Sequence, residues 1–200
     1  MSFEERNVNG VKKVHGKLLS RKDFQFSFRG MPYASQSSDI RVLRSVLSKY
    51  MDGTVYEIGV YGGRTPLGCY DILEKNNLVY TGVDPWEKCI SVNSLDPEFL
   101  VKSGVSKGIL DNRYNNMKFV RKVLEDINDK LNLDRIHLHF DYEENVVQQV
   151  EDGSIDLLHI DGAHDTESVY KELCNWAPKM KEGGTIVGDD YSWDTVRKGL

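Results

Sequence analysis

The sequence predicts an α/β protein with a Rossmann-like, doubly wound and mainly parallel sheet carrying helices on both faces, and three observations lead there. Short apolar runs recur at residues 54–58, 79–83, 136–140, 155–160 and 183–188. Helical patterns separate them, the clearest placing Val169, Leu173 and Trp176 on one stripe. A glycine-bearing turn, Gly59-Val60-Tyr61-Gly62-Gly63, follows the first run. Buried strands alternating with helices imply parallel pairing, because only a crossover connection returns the chain to the same edge.

The elements follow in order. Residues 1–36 are polar and weakly periodic, with a turn signal at Gly30-Met31-Pro32-Tyr33, and read as an N-terminal arm or lid. Residues 37–200 read as one domain. It opens with a helix bearing Ile40, Leu43, Val46, Leu47 and Tyr50, stopped by Asp52-Gly53. Strand 54–58 runs into the glycine turn and a helix over 66–74, and strand 79–83 ends at Asp84. An irregular insertion over about 85–112 precedes an amphipathic helix at 114–131, with Met117, Val120, Val123, Leu124 and Ile127 on one side. Strand 136–140, a short helix at 145–150, strand 155–160, a helix at 166–176 and strand 183–188 complete the series. A doubly wound sheet ordinarily continues past such a strand, so the C-terminal sheet edge is expected to be incomplete. A longer chain, the N-terminal arm or a second copy in a homo-oligomer would cover it.

Composition removes several function classes. A formal net charge of −5 over 200 residues leaves no basic footprint for nucleic acid. No apolar run approaches the ~20 residues that cross a bilayer, so no membrane association is expected. The three cysteines, Cys69, Cys89 and Cys174, are far apart and lack metal-ligand spacing. Reduced thiols, and a start without an apolar leader region, give a cytoplasmic expectation.

Two strand ends carry acids. Asp161 closes the run at 155–160, and Asp189 and Asp190 follow the run at 183–188. If those strands are parallel neighbours, three carboxylates meet at the carboxyl edge, where open α/β sheets bind ligands. Oxygen donors of that charge suit a hard cation such as Mg²⁺ or Mn²⁺. The plainer alternative is that each acid caps the helix after it. After the first two strands, glycines let backbone pass close to a ligand, and Asp84, 21 residues after Gly63, stands where a carboxylate accepts both ribose hydroxyls. Together these suggest an adenosine-containing cofactor, against a packing turn with a surface Asp-Pro step.

Glu57-x-Gly59-x-x-x-Gly63 resembles motif I of class I S-adenosylmethionine-dependent methyltransferases. The stretch from Ile160-Asp161-Gly162-Ala163-His164-Asp165 through Trp176 and Gly183-Gly184 to Gly188-Asp189-Asp190-Tyr191 resembles metal-dependent sugar O-methyltransferases of the macrocin O-methyltransferase type. The resemblance implies that Asp161, Asp189 and Asp190 hold the metal and that His164 is the general base. It also implies that Glu57 and Gly59 border the methionyl part of S-adenosylmethionine, Asp84 its ribose and Asp141 its adenine. The acceptor would be a small-molecule hydroxyl, on a sugar or another compound with vicinal oxygens.

The residues suit that chemistry independently. Methyl transfer to an alcohol needs alignment and loss of a proton from a poor acid, and a divalent ion with a nearby imidazole supplies both. His164 has helix capping as its structural alternative. His137, His139 and His159 fall inside strands and read as core or interface groups. Trp176 reads as core. Tyr33, Trp86 and Tyr191 lie near strand ends, where an aromatic can stack on adenine or sugar. Lys179 and Lys181 read as a solvated helix end. Two rivals stand: an NAD-dependent reductase or epimerase, opposed by the absence of G-x-G-x-x-G, and a non-catalytic adenosine-binding module.

Overall fold

The computed structural model describes residues 6–8, 11–13, 37–61, 63–86 and 135–200. The helix expected at 114–131, nearly all of the insertion and most of the arm lie outside them. Within the arm, β1 (Arg6–Val8) and β2 (Val11–Lys13) pair antiparallel as a separate two-stranded sheet. Among the described residues, no helix is long and apolar enough to cross a membrane.

Helix α1 (Ser37–Leu47) buries Ile40, Leu43 and Leu47, spaced three and four residues apart as one helical face requires. Its Arg44 grips Asp71 bidentately at 2.5 and 2.6 Å and donates to the Gly68 carbonyl at 2.7 Å, fixing α1 on the helices after β3 (Thr54–Ile58). The single helix expected at 66–74 is two, α2 (Arg64–Gly68) and α3 (Tyr70–Lys75). They part at Cys69 (φ −112°, ψ 3°), although Cys69 N still reaches Thr65 O and Leu73 N still reaches Cys69 O. Gly68, just before the kink, packs closely on α1: a Cβ there would lie 3.2 Å from Ile40.

Five strands form the main sheet in the order β5-β4-β3-β6-β7, every pairing parallel. They are β3, β4 (Val79–Val83), β5 (Ile136–His139), β6 (Ile155–Ile160) and β7 (Met180–Gly188). The central trio is buried on both faces, as parallel strands under helices must be. Val55, Tyr80 and Leu157 pack with Ile40, Leu43, Leu47 and Leu73 on one side. Ile58, Leu158 and Ile160 pack with Val146 and Trp176 on the other. That second face is covered by α4 (Glu143–Val146), which runs into a 3₁₀ turn at Val147–Gln149, and by α5 (Thr166–Trp176).

β7 is an outer strand, and the sheet is open there among the described residues. It begins at Met180 rather than 183, because Met180 pairs with Ile155 and Thr185 with Leu157, so residues 181–184 bulge out between them. Gly183 turns the bulge at φ +79°, a conformation that costs glycine no side-chain clash. Of the two lysines expected at a solvated helix end, Lys179 does close a 3₁₀ turn (Ala177–Lys179) but is ion-paired to Asp152 at 2.6 Å, whereas Lys181 lies in the bulge, paired to Asp156 at 2.8 Å. A last helix, α6 (Asp194–Gly199), not anticipated from the sequence, packs on α5 with Val196 buried.

Candidate active site

The carboxyl edge of β4, β3, β6 and β7 gathers the polar groups. β3 ends in Glu57 and Ile58, and Glu57 is only 2% exposed. Strand pairing places it opposite Gly82 on one side and His159 on the other. Its Oε2 accepts the Tyr80 hydroxyl, and its Oε1 lies 2.8 Å from His159 Nδ1. Both carboxylate oxygens are thus engaged from the flanking strands, which satisfies a charge that could not otherwise be buried. Burial alone would lower the His159 pKa, but the Glu57 carboxylate, with Asp161 and Asp189 farther off, raises it above the usual imidazole value.

The glycine turn is shaped by its neighbour as much as by any ligand. Gly59 has φ +86°, and a Cβ there would lie 2.0 Å from the Asp161 carbonyl oxygen. Gly63 adopts the left-handed conformation (φ 65°) just before α2. Tyr61 shares that region at φ 40°, as do Trp86 (φ 40°) and Asp190 (φ 53°), so three strained non-glycine residues sit at this edge.

Asp84, at the end of β4, clasps the turn: its Oδ2 accepts Tyr61 N at 2.7 Å and its Oδ1 accepts Trp86 N at 2.5 Å. Burial pushes its carboxyl above the ordinary range, against the amides of Tyr61, Trp86 and Val60, which pull it down. Three amides occupy most of the roughly four lone-pair sites of the carboxylate, which leaves it room to accept a further hydroxyl without losing its loop contacts. Trp86, one of three aromatics near strand ends that the sequence leaves unassigned, is fully buried against Phe140, with its Nε1 on the Tyr61 carbonyl. Asp141, after β5, accepts Tyr142 N at 2.9 Å and Asn145 Nδ2 at 3.2 Å, and so organises the entry to α4.

β6 and β7 are parallel neighbours, and their ends bring the acids together. Ligand atoms of His159, Asp161 and Asp189 lie within 4.8 Å of one another, as do those of Asp161, His164 and Asp190. The three aspartates therefore meet as two overlapping groups sharing Asp161, each with a histidine. His164 Nε2 is 2.5 Å from Asp190 Oδ2, and its ring packs on Trp193 at 5.0 Å. Burial, reinforced by Asp189 and opposed by His159, pushes Asp161 up to about 7. The like-charge argument for a cation is softened accordingly, since imidazoles and a proton can compensate the carboxylates. The donor set still fits a divalent ion, with the nitrogens favouring Mn²⁺ over Mg²⁺.

Sequence reading missed two contributors: His159 as a neighbour of the acids, and Glu172 of α5; Trp193, a large apolar group near the acid pair in sequence, packs on His164. Glu172 Oε1 accepts Ala163 N at 3.1 Å beneath the turn that carries His164. Two-residue alternation along β6 puts His159 on the same face as Asp161 and could have exposed the first, whereas nothing local signals the second. His137 is exposed on β5 and His139 partly so, both remote from this cluster in the strand order.

A parallel five-stranded sheet with a glycine turn and an acid at successive strand ends places the chain among Rossmann-like α/β folds that bind ligands at the carboxyl edge. Residues 56–191 match the family described as a methyltransferase domain, and the chain belongs to that family. Its fold is similar to precorrin-6y C5,15-methyltransferase from Geobacter metallireducens GS-15, at 15% identity and TM-score 0.52 over 85% of this chain and 70% of that one. It is likewise similar to cofactor-bound Rv0187 from MTB, at 13% identity and TM-score 0.51 over 90% and 73%. The S-adenosylhomocysteine (SAH)-bound Podospora anserina methyltransferase PaMTH1 matches at 15% identity and TM-score 0.49 over 84% and 61%. The chain spans 61% of that protein's length and 58% of a Corynebacterium glutamicum protein it also matches. No curated protein is detectably similar.

Proposed function

We propose that this chain carries the catalytic core of an S-adenosylmethionine-dependent O-methyltransferase that acts, with a divalent cation, on a hydroxyl of a sugar or another small molecule with vicinal oxygens. The observation that carries the reading is the adjacency of two half-sites on one sheet edge: the Asp84-clasped glycine turn after β3 and the Asp161–His164–Asp190 group after β6 and β7. The cofactor would lie over β3 and β4, with Asp84 on the ribose, Gly59 and Gly63 beside the methionyl arm, and Asp141 toward adenine. Glu57 would act from beneath, its oxygens being taken by Tyr80 and His159.

In the reaction an acceptor oxygen forms its bond to the methyl carbon as the carbon–sulfur bond breaks, and the sulfonium becomes a thioether. The acceptor proton goes to His164. With Nε2–H donated to Asp190, the neutral imidazole carries its lone pair on Nδ1, and the carboxylate stabilises the imidazolium that results. Asp161, Asp189 and Asp190 would hold the cation, which when bound orients two acceptor oxygens and lowers the pKa of the hydroxyl. The exposed Tyr191 and Trp193 follow Asp190 in sequence, Trp193 packing on the His164 ring, and would form the acceptor wall.

The His164–Asp190 contact also favours a second reading, transfer by the histidine–carboxylate pair without a metal. SAH titration tests the cofactor half. Asp84→Ala should weaken binding by on the order of 1.5–3 kcal/mol for each charge-assisted bond lost. An unchanged dissociation constant rules the assignment out. Turnover that persists in excess chelator selects the metal-free reading, and His164→Ala should slow either by ~10²–10⁴-fold.

A further inference from the structure

We infer that Glu172 is a positioning residue for His164, acting through the backbone of the turn between β6 and α5; its relevance to catalysis rests on the methyltransferase reading above. The turn is tied to α5 at two points. Asp165, its last residue, caps the helix by accepting Ser168 N at 3.0 Å. Glu172, two turns further along α5, reaches back so that its Oε1 accepts Ala163 N at 3.1 Å. His164 lies between these anchors, and its ring is held on the far side by Asp190 and Trp193. Its backbone is therefore fixed from one element and its imidazole from another, as a base held in one orientation requires.

The contact is close as well as polar. Gly162 leaves no room above the carboxyl: a Cβ there would lie 2.5 Å from Glu172 Oε1 and 3.3 Å from Oε2. Glu172 is 5% exposed, and its Oε2 has no hydrogen-bond partner. An unsatisfied buried oxygen is unfavourable for the fold, and a smaller apolar side chain would avoid it. What that side chain could not do is hold the Ala163 amide. A glutamine keeps the acceptor and the shape, whereas an alanine keeps neither, so the pair separates positioning from mere packing.

The test compares Glu172→Ala and Glu172→Gln in the ¹⁵N-labelled full chain by NMR, with thermal unfolding recorded on the same samples. In Glu172→Ala the Ala163 amide should exchange about tenfold faster, the loss of one hydrogen bond, and the His164 ring resonances should lose the ring-current shift imposed by Trp193. In Glu172→Gln both should stay native. The alanine variant also opens the space above α5, so Gly162→Ala should destabilise the wild type and be tolerated in the Glu172→Ala background. Native His164 resonances and Ala163 exchange in Glu172→Ala would overturn the inference, as would a Gln variant perturbed like the Ala variant. No arm reads turnover, and SAH titration of the same samples reports the methyltransferase reading separately.

Discussion

Glu57 and His159 face each other across the β3–β6 pair, Oε1 to Nδ1 at 2.8 Å, and so join the acid at the glycine turn to the acids at the neighbouring strand end. Tyr80 of β4 completes the set from the other side. One buried carboxylate thereby receives a donor from each adjacent strand. Two consequences follow from elementary electrostatics: the Glu57 charge is kept in the core, and the His159 proton is favoured beside Asp161 and Asp189.

Glu57→Gln removes the anion but keeps the shape. His159 then loses the group that favours its charged form, and the Tyr80 hydroxyl faces an amide. The expected loss is about 1–3 kcal/mol of stability, the cost of an unsatisfied buried polar group, read from the midpoint of urea unfolding. Tyr80→Phe should be milder because His159 still holds the carboxylate. A Gln variant as stable as the wild type would show that the triad contributes nothing to folding.

Gly59→Ala probes the close approach of two strand ends. The residue sits at φ +86°, and its Cβ would overlap the Asp161 carbonyl at 2.0 Å, an atom of the backbone that cannot rotate away. Strain and displacement together should cost on the order of 4 kcal/mol. Circular dichroism melts should show a large fall in the midpoint. A change smaller than that of an exposed-surface substitution would mean that β3 and β6 separate freely here.

Much of this architecture is legible in the sequence because burial on both faces leaves uninterrupted apolar runs. Thr54–Ile58, Val79–Val83 and Ile155–Ile160 match their expected bounds, and α5 matches because Asp165 caps it and Val169 and Trp176 are buried at helical spacing. The strand end at Asp161 and the acid pair after β7 are likewise read from pattern. What fails is whatever depends on distant partners. The break at Cys69 has no sequence signal beyond the neighbouring Gly68, which packs against Ile40 of another helix, and the early start of β7 depends on pairing of Met180 with Ile155. Trp86 looks like a loop aromatic until Phe140 and the Tyr61 carbonyl are seen to bury it. Glu172 has no motif at all, since its meaning lies in an amide nine residues away.

Divalent ions should stabilise the protein if the acids hold one. Addition of Mn²⁺ or Mg²⁺ at a hundred times its dissociation constant gives about 2.7 kcal/mol by mass action, visible as a raised melting midpoint. Asp189→Asn should weaken or abolish that response while leaving SAH affinity unchanged, because Asp84 and the glycine turn lie over other strands. An equal midpoint with metal and with chelator would count against a cation site and for the histidine–carboxylate reading.

Glu172 gives the fold a pH dependence with a definite sign. Burial foremost, with Glu143 and Asp165 adding repulsion and the Ala163 amide and His164 opposing, pushes its carboxyl up to about 7 from an ordinary 4.5. Below about pH 4.5 the group is neutral in both folded and unfolded chains and exerts no penalty. As the pH rises toward about 7, the unfolded chain releases this proton while the folded chain retains it, so the unfolded state gains and stability falls. The loss approaches about 3 kcal/mol once both states are ionised. Glu172→Gln has no proton to release, yet shares every other titrating group, His159 and Asp161 included. The difference in unfolding free energy between variant and wild type should therefore grow in favour of Gln across that window, then level off above it. Parallel stability curves from acid to neutral pH would place the Glu172 carboxyl in a more solvated setting than the turn above it allows.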